Sequence, residues 1–496
     1  MASSAEARWL KAETDRFVVY GDGSEKAVRA FASKLTAFDT LLRVYNPAAK
    51  PASPTKVQVF LLSGVSDLKR VRANLPKYTQ GFYAATNEGI FAFAVDNGDM
   101  GQDDVLFHEY AHHFMLENFP TAYPAWFVEG WAEYFMTAEI KGATMTVGGY
   151  NPARAYGILS ENWLPLEQVL SKTTFEIAPE RRNVFYAQSW LLAHYMLSDA
   201  ARAKQLDKAI KDISRGAAPI AAMEGATGAS LKDLTAKLRA YRRLQTVEIT
   251  LKEAPASEIR VSQLPPSADD LLLANQRLVM AALGDNDRGF LEDVRRKAAR
   301  HPGDWLAERT LARAEFVLGD VAAGEAIMKR RLAASPDDRE DLLLAGVGQI
   351  WAGARTPAER EMRYRAARPM LGKAFQLDKS DFRALTAYAL SRTTEPAYPS
   401  ENDVNVLLEA RGLAPSVSET SVRAGVALAR KGRRDEAERV LAVVLNNPHS
   451  GPAAAELRKL LDDGKLGQVD VTAAQKPAEE EEPAAPQEPA KASARN

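Results

Sequence analysis

Seven residues constrain this chain more than any other stretch: Phe107-His108-Glu109-Tyr110-Ala111-His112-His113. They contain the pattern His-Glu-x-x-His. On a helix, His108 and His112 lie four residues apart, so both imidazoles project from one face and can hold one metal ion. Glu109 sits beside that face, where it can act as general base towards a metal-bound water. Three of the six histidines of the chain fall within this window, which concentrates ligand chemistry at one place. Cysteine is absent, which excludes disulfides, thiolate nucleophiles and cysteine-type structural zinc. Any bound metal must be held by histidine and carboxylate, which suits a catalytic site with an open position for water.

Such a site needs a third protein ligand. Glu117, Glu129, Glu133 and His113 are the candidates. His113 follows His112 directly, about 100° further round the helix, and faces away from the ligand stripe. Glu117 follows His112 by five residues and is also rotated off the stripe. A carboxylate from a separate helix fits better, and Glu129 or Glu133 in Trp126-Phe-Val-Glu129-Gly130-Trp-Ala132-Glu133 can supply it.

Along the chain, Arg16 to Tyr20 reads as a strand, and Ser24 can cap a helix that runs to about Tyr45. Val57 to Leu62 reads as a second strand. Gln80 to Ala85 and Gly89 to Val95 read as a hairpin. The motif helix is expected from about Gln102, with Asp103 or Asp104 at its start, to Asn118. Pro120 and Pro124 close it before a second helix from Ala125 to Met136. A strand bounded by turns is expected between Lys141 and Gly149, a helix over about 182–198, and helical sequence onward to about Leu251.

Pro255 and Pro265-Pro266 suggest a linker at 252–268. Beyond it Pro302 and Pro336 are 34 residues apart, as are Gly319 and Gly353. Each proline precedes its glycine by 17 residues, and Pro415 to Gly432 repeats that interval. One helix, a turn and a second helix per unit resembles the tetratricopeptide (TPR) repeat. Four or five units would fill 269–465, with an insertion or a degenerate repeat near 355–378. Residues 466–496, rich in Ala, Pro and Glu and including Glu479 to Glu482, are expected to be disordered.

The motif pair carries a family resemblance. His108-Glu109-x-x-His112 followed by Trp126-x-x-Glu129-Gly130-x-Ala132 resembles the gluzincin metallopeptidases, the clan of thermolysin and aminopeptidase N. The resemblance implies an α+β zincin-like metallopeptidase domain over 1–251, with an α/β layer at 1–100 and a mostly helical catalytic part at 101–251. An all-α TPR-like domain follows. It also implies one Zn2+ on His108, His112 and Glu129, with Glu109 as the base. Glu133, one turn beyond Glu129, would orient a ligand histidine. Tyr186, in Tyr186-Ala-Gln-Ser189, matches the Tyr-x-x-Gly tyrosine that stabilises the oxyanion, with Ser in place of Gly. The 17-residue interval from His112 to Glu129 is two shorter than aminopeptidases usually have, and their Gly-Ala-Met-Glu-Asn exopeptidase motif is absent. The opening Trp9-Leu-x-Ala-Glu-x-x-x-Phe17-Val-Val-Tyr resembles bacterial peptidase-MA-like proteins, some of which carry TPR repeats.

The resemblance implies a peptide or protein substrate, with the repeats offering a surface to a protein partner. A zinc-binding scaffold with weak catalysis is the alternative. The edge of the Gly81-Phe82-Tyr83 hairpin could pair with an extended peptide. A formal net charge of −1 gives no reason to expect nucleic-acid binding. No apolar run approaches the ~20 residues that span a bilayer. Residues 1–7 lack a basic region and an apolar core, so they do not read as a signal peptide. A soluble protein is expected, periplasmic or secreted if a leader has been removed and otherwise cytoplasmic. His113 and His194 read as packing residues, Trp126 and Trp131 as core, and Lys329-Arg-Arg331 and Arg433-Arg434 as solvated helix faces.

Overall fold

The structure is a computed structural model that describes residues 8–50, 55–76, 79–95, 103–160, 162–255, 257–281, 287–447 and 451–472. It is mostly helical, with one six-stranded and one three-stranded sheet. The first strands are β1 (Leu10–Glu13), β2 (Phe17–Gly21), β3 (Val57–Leu62), β4 (Gly81–Thr86) and β5 (Gly89–Val95). Apolar residues fill both faces of β3 and β5 because both faces are covered. Helix α1 (Glu25–Tyr45) is capped by Ser24, whose hydroxyl accepts the Ala27 N–H at 3.2 Å. It buries Val28, Leu35, Phe38 and Leu42. A short helix not expected from the sequence, α2 (Val65–Val71), follows β3.

The motif helix is α3 (Asp103–Asn118), and α4 (Ala125–Met136) follows it. The hairpin β6 (Glu139–Lys141) and β7 (Thr144–Val147) leads to α5 (Pro152–Ser160) and α6 (Leu166–Ser171). Next come α7 (Arg182–Leu197), α8 (Ala200–Ser214), α9 (Pro219–Thr227) and α10 (Leu231–Ala240). Helix does not continue to Leu251. Residues Val247–Thr250 form β8, which pairs antiparallel with β7; its alternating Val, Glu, Ile, Thr pattern is that of a half-buried strand.

The expected linker at 252–268 is also corrected. Arg260–Gln263 form β9, which pairs antiparallel with β1 and completes the sheet in the order β4-β5-β3-β2-β1-β9. One face of this sheet packs on α1, α3 and α4 through Phe17, Val59, Phe38, Phe107 and Trp131. The other face carries Phe60, Phe91 and Phe93, and these are buried by Leu68, Leu272 and Leu306. Leu272 lies on α11 (Ala268–Val279) and Leu306 on α13 (Trp305–Leu318). The first helices of the repeat region therefore form the second layer of the sheet.

Five helix pairs make up the repeat region among the described residues. They are α11 with α12 (Asp287–Ala298), α13 with α14 (Val321–Ala334), α15 (Arg339–Arg355) with α16 (Arg360–Leu377), α17 (Phe382–Ser391) with α18 (Glu401–Leu413), and α19 (Ser418–Arg430) with α20 (Arg434–Leu445). A final helix, α21 (Gly451–Asp462), ends the series. The starts of α13 and α15 are one 34-residue period apart, and the lengthened pair of 17 and 18 residues explains the lost register near 355–378. Aspartates cap α13, α14, α15 and α17: Asp304, Asp320, Asp338 and Asp381 each accept backbone N–H groups.

Arg331 is not a solvated residue. It pairs with Glu308 and Asp341 at 2.9 Å and clasps neighbouring units. Later repeats also touch the first domain. Phe382 and Val417 join the core around α3, and from the earlier helix α13 Arg313 pairs with Glu88 of the β4–β5 turn at 3.0 Å. Residues 466–472, expected in the tail, are docked: Leu466 and Val471 are buried, and Arg423 donates to the Val471 carbonyl at 2.7 Å. The rest of the expected tail, including Glu479 to Glu482, lies outside the described residues, as do residues 1–7 and Gln102. Among the described residues no helix is long and apolar enough to cross a membrane.

Candidate metal centre

Helix α3 places His108 and His112 one turn apart, and their Nε2 atoms converge to 3.0 Å. Helix α4 brings Glu129 to the same point, its Oε2 lying 3.5 Å from each Nε2. Among the described residues these three form a group of potential metal ligands, and all are buried. A tetrahedral site with bonds of 2.0–2.1 Å separates its donors by about 3.3–3.4 Å. The triangle of 3.0, 3.5 and 3.5 Å has that size. Donors so close, with no bulky group between them, fit one small cation.

The other ligand candidates are elsewhere. His113 turns away from the group, its Nδ1 lying 2.9 Å from the Tyr83 hydroxyl on β4. Burial lowers its pKa to about 3, helped by the charge of Arg43. Glu117 is buried on α3 outside the group. Glu133 stands on the far side of His108, with Oε1 3.6 Å from Nδ1. His194 is a packing residue: Nε2 lies 3.0 Å from the Gly148 carbonyl and Nδ1 3.0 Å from the Tyr241 hydroxyl. Trp126 and Trp131 are buried in the core, as expected.

Two residues that the sequence does not single out hold Glu133. Arg154 Nη2 donates to its Oε1 at 2.7 Å, and Asn151 Nδ2 donates to its Oε2 at 3.0 Å. Both come from the start of α5, where Asn151 also accepts the Arg154 N–H at 3.2 Å as a helix cap before Pro152. The Asn151-Pro152 pair was the available signal, since it marks a helix start. Nothing local shows that this start meets Glu133.

Gly130 explains how Tyr186 comes near the group. A Cβ there would lie 2.3 Å from the Ser189 carbonyl oxygen and 2.9 Å from Ala193 Cβ, so α4 and α7 meet with almost no space between them. Tyr186, one turn before Ser189, is thereby set near Glu129. Burial pushes its hydroxyl pKa well up, and Glu129 adds to the shift while Arg154 opposes it. It is a neutral O–H donor at neutral pH. Burial lowers the His108 pKa, but Glu129, Glu133 and Glu109 outweigh it, and the net shift is upward. The same field favours a metal cation. Arg154 pairs with Glu133 at 2.7 Å. Glu109 is half-buried, the most accessible member of the constellation.

No family model matches the chain, and no curated protein matches it. One solved structure that is similar is the MamA RS-1 ArsTM double mutant, at 16% identity and a TM-score of 0.28. That similarity covers 40% of this chain and 98% of the other.

Proposed function

We propose that this chain is a zinc-dependent peptidase of the gluzincin kind. The observation that carries the reading is the convergence of His108 Nε2, His112 Nε2 and Glu129 Oε2 beside the half-buried Glu109. Zinc bound there would polarise a scissile carbonyl and lower the pKa of a water towards ~7. Glu109 accepts the proton of the attacking water and passes it to the leaving amine. Tyr186, as a buried neutral donor, steadies the developing oxyanion. Glu133 fixes the His108 ring through its Nδ1 side. Strand β4 is an edge of the sheet and lies beside α3, in reach of an extended substrate backbone.

Protein docking through the repeats is confined to surfaces other than those that cover the sheet. A zinc-holding scaffold without turnover is the second reading, favoured by the depth at which all three ligands are buried. Metal analysis of purified protein, coupled to digestion of a peptide library, tests both. His108→Ala and His112→Ala should lose stoichiometric zinc. Glu109→Gln should keep zinc and abolish cleavage. Protein free of metal under non-chelating conditions would refute the proposal, and cleavage abolished by Glu109→Gln would refute the scaffold.

A further inference from the structure

We propose that Arg154 is a positioning residue that ties the ligand half of the centre to the Tyr186 half; this rests on the function proposed above. Its guanidinium serves three groups on two helices. Nη2 donates to Glu133 Oε1 on α4, Nη1 lies 3.3 Å from Asn183 Oδ1 on α7, and the planar group lies 5.1 Å from the Tyr186 ring centre. The side chain is 6% exposed, so these contacts are screened little by solvent.

The carboxylate it holds is fixed at both oxygens, because Asn151 takes the other one. Oε1 of Glu133 then faces His108 Nδ1 and favours the tautomer whose Nε2 is free to ligate. On its second side, Arg154 bonds Asn183 and covers the ring of Tyr186, three residues further along α7. Helix α5 is seated to do this by Gly157, whose Cβ position lies 3.0 Å from Ala187 Cβ and 3.2 Å from Asn183 Nδ2. A single planar fork thus spans α4 and α7 next to their Gly130–Ser189 contact. Lysine can carry the charge to Glu133 but cannot form the fork or lie flat on the ring.

The test is the zinc affinity of the full chain by chelator competition, the absorption spectrum of the cobalt form, and peptide cleavage. Arg154→Met should weaken zinc by about 10–100-fold and change the cobalt spectrum. Arg154→Lys should restore zinc affinity to within about threefold while kcat stays at least about tenfold down. Because Arg154→Met leaves a buried carboxylate without its cation, a strongly destabilising change, the neutral double variant Glu133→Gln/Arg154→Met is measured beside it. The double variant should melt like the wild type and still bind zinc about tenfold more weakly. Wild-type zinc affinity and cobalt spectrum in a folded Arg154→Met or double variant would overturn the inference, as would wild-type kcat in Arg154→Lys. A wild-type chain that binds no zinc would overturn it together with the proposed function.

Discussion

Replacing Gly130 by alanine tests the α4–α7 contact directly. The new Cβ would sit 2.3 Å from the Ser189 carbonyl oxygen, against an ordinary contact of 3.4 Å or more. The helices must therefore separate by about 1 Å. The opposing atom belongs to the backbone, so no side-chain rotation relieves it. Overpacking of this kind costs about 1–3 kcal/mol, and this site falls at the upper end. Alanine returns about 1 kcal/mol of helix propensity over glycine. The net loss of about 2 kcal/mol leaves a chain of ordinary stability folded.

Under the proposed mechanism, function should suffer more than stability. His108, His112 and Glu129 lie on α3 and α4, which are not parted by the change, so zinc should stay bound. Tyr186 moves with α7, and a misplacement of about 1 Å costs on the order of 100-fold in turnover. Melting temperature, zinc content and kcat of Gly130→Ala should thus give a small fall, no change and a large fall. Adding Ser189→Gly should not rescue it, since the clash is with the carbonyl. Unchanged melting and turnover would refute the contact, and loss of zinc along with turnover would refute the division of labour between the helices.

Gly372 lies inside α16 with no atom within 4 Å of its Cβ position, so Gly372→Ala should raise stability in denaturant by up to about 1 kcal/mol. Ser400 and Asp403 form a reciprocal capping box on α18, with the Ser400 hydroxyl accepting the Asp403 N–H at 3.2 Å. Ser400→Ala should lower stability by about 1 kcal/mol in the same assay, and an unchanged midpoint would remove the cap from the account. Burial raises the Glu13 pKa, but the ammonium groups of Lys11 and Lys56 outweigh it and bring it to about 2. A carboxylate lowered in the folded state adds stability above its unfolded value of about 4.3 and loses it as pH falls towards 2. Denaturant unfolding between pH 5 and pH 2 should therefore fall more steeply for the wild type than for Glu13→Gln, and parallel curves would contradict this.

The parts of the centre legible in the sequence are those set by local rules. Helical spacing placed His108 and His112 on one face, and Pro120 and Pro124 set the break that lets α4 return with Glu129. Choosing Glu129 over Glu133 needed a family pattern, because both lie on the same helix one turn apart. The structure separates them by what they face: Glu129 meets two Nε2 atoms, and Glu133 meets Nδ1, Asn151 and Arg154. Arg154 was invisible because its partners are 21 and 29 residues away, and no periodicity encodes such distances. The same holds for β9. Four residues among prolines read as a linker until β1 is known to wait for them. The repeat spacing gave the helix pairs, but not that α11 and α13 would cover Phe60 and Phe93.

The pairing of Leu10 with Gln263 also sets a clock for the growing polypeptide. At ribosomal speeds of about 5–20 residues per second, the roughly 250 residues between them take on the order of 10–50 s to make. Throughout that interval β1 offers a bare backbone edge to any neighbour, and the aromatic face of the sheet lacks the layer that arrives later still. A nascent chain of this design is most exposed to mispairing before its last third is made. Holding by a chaperone, or slow decoding upstream of residue 260, would shape its yield more than any change at the candidate metal ligands.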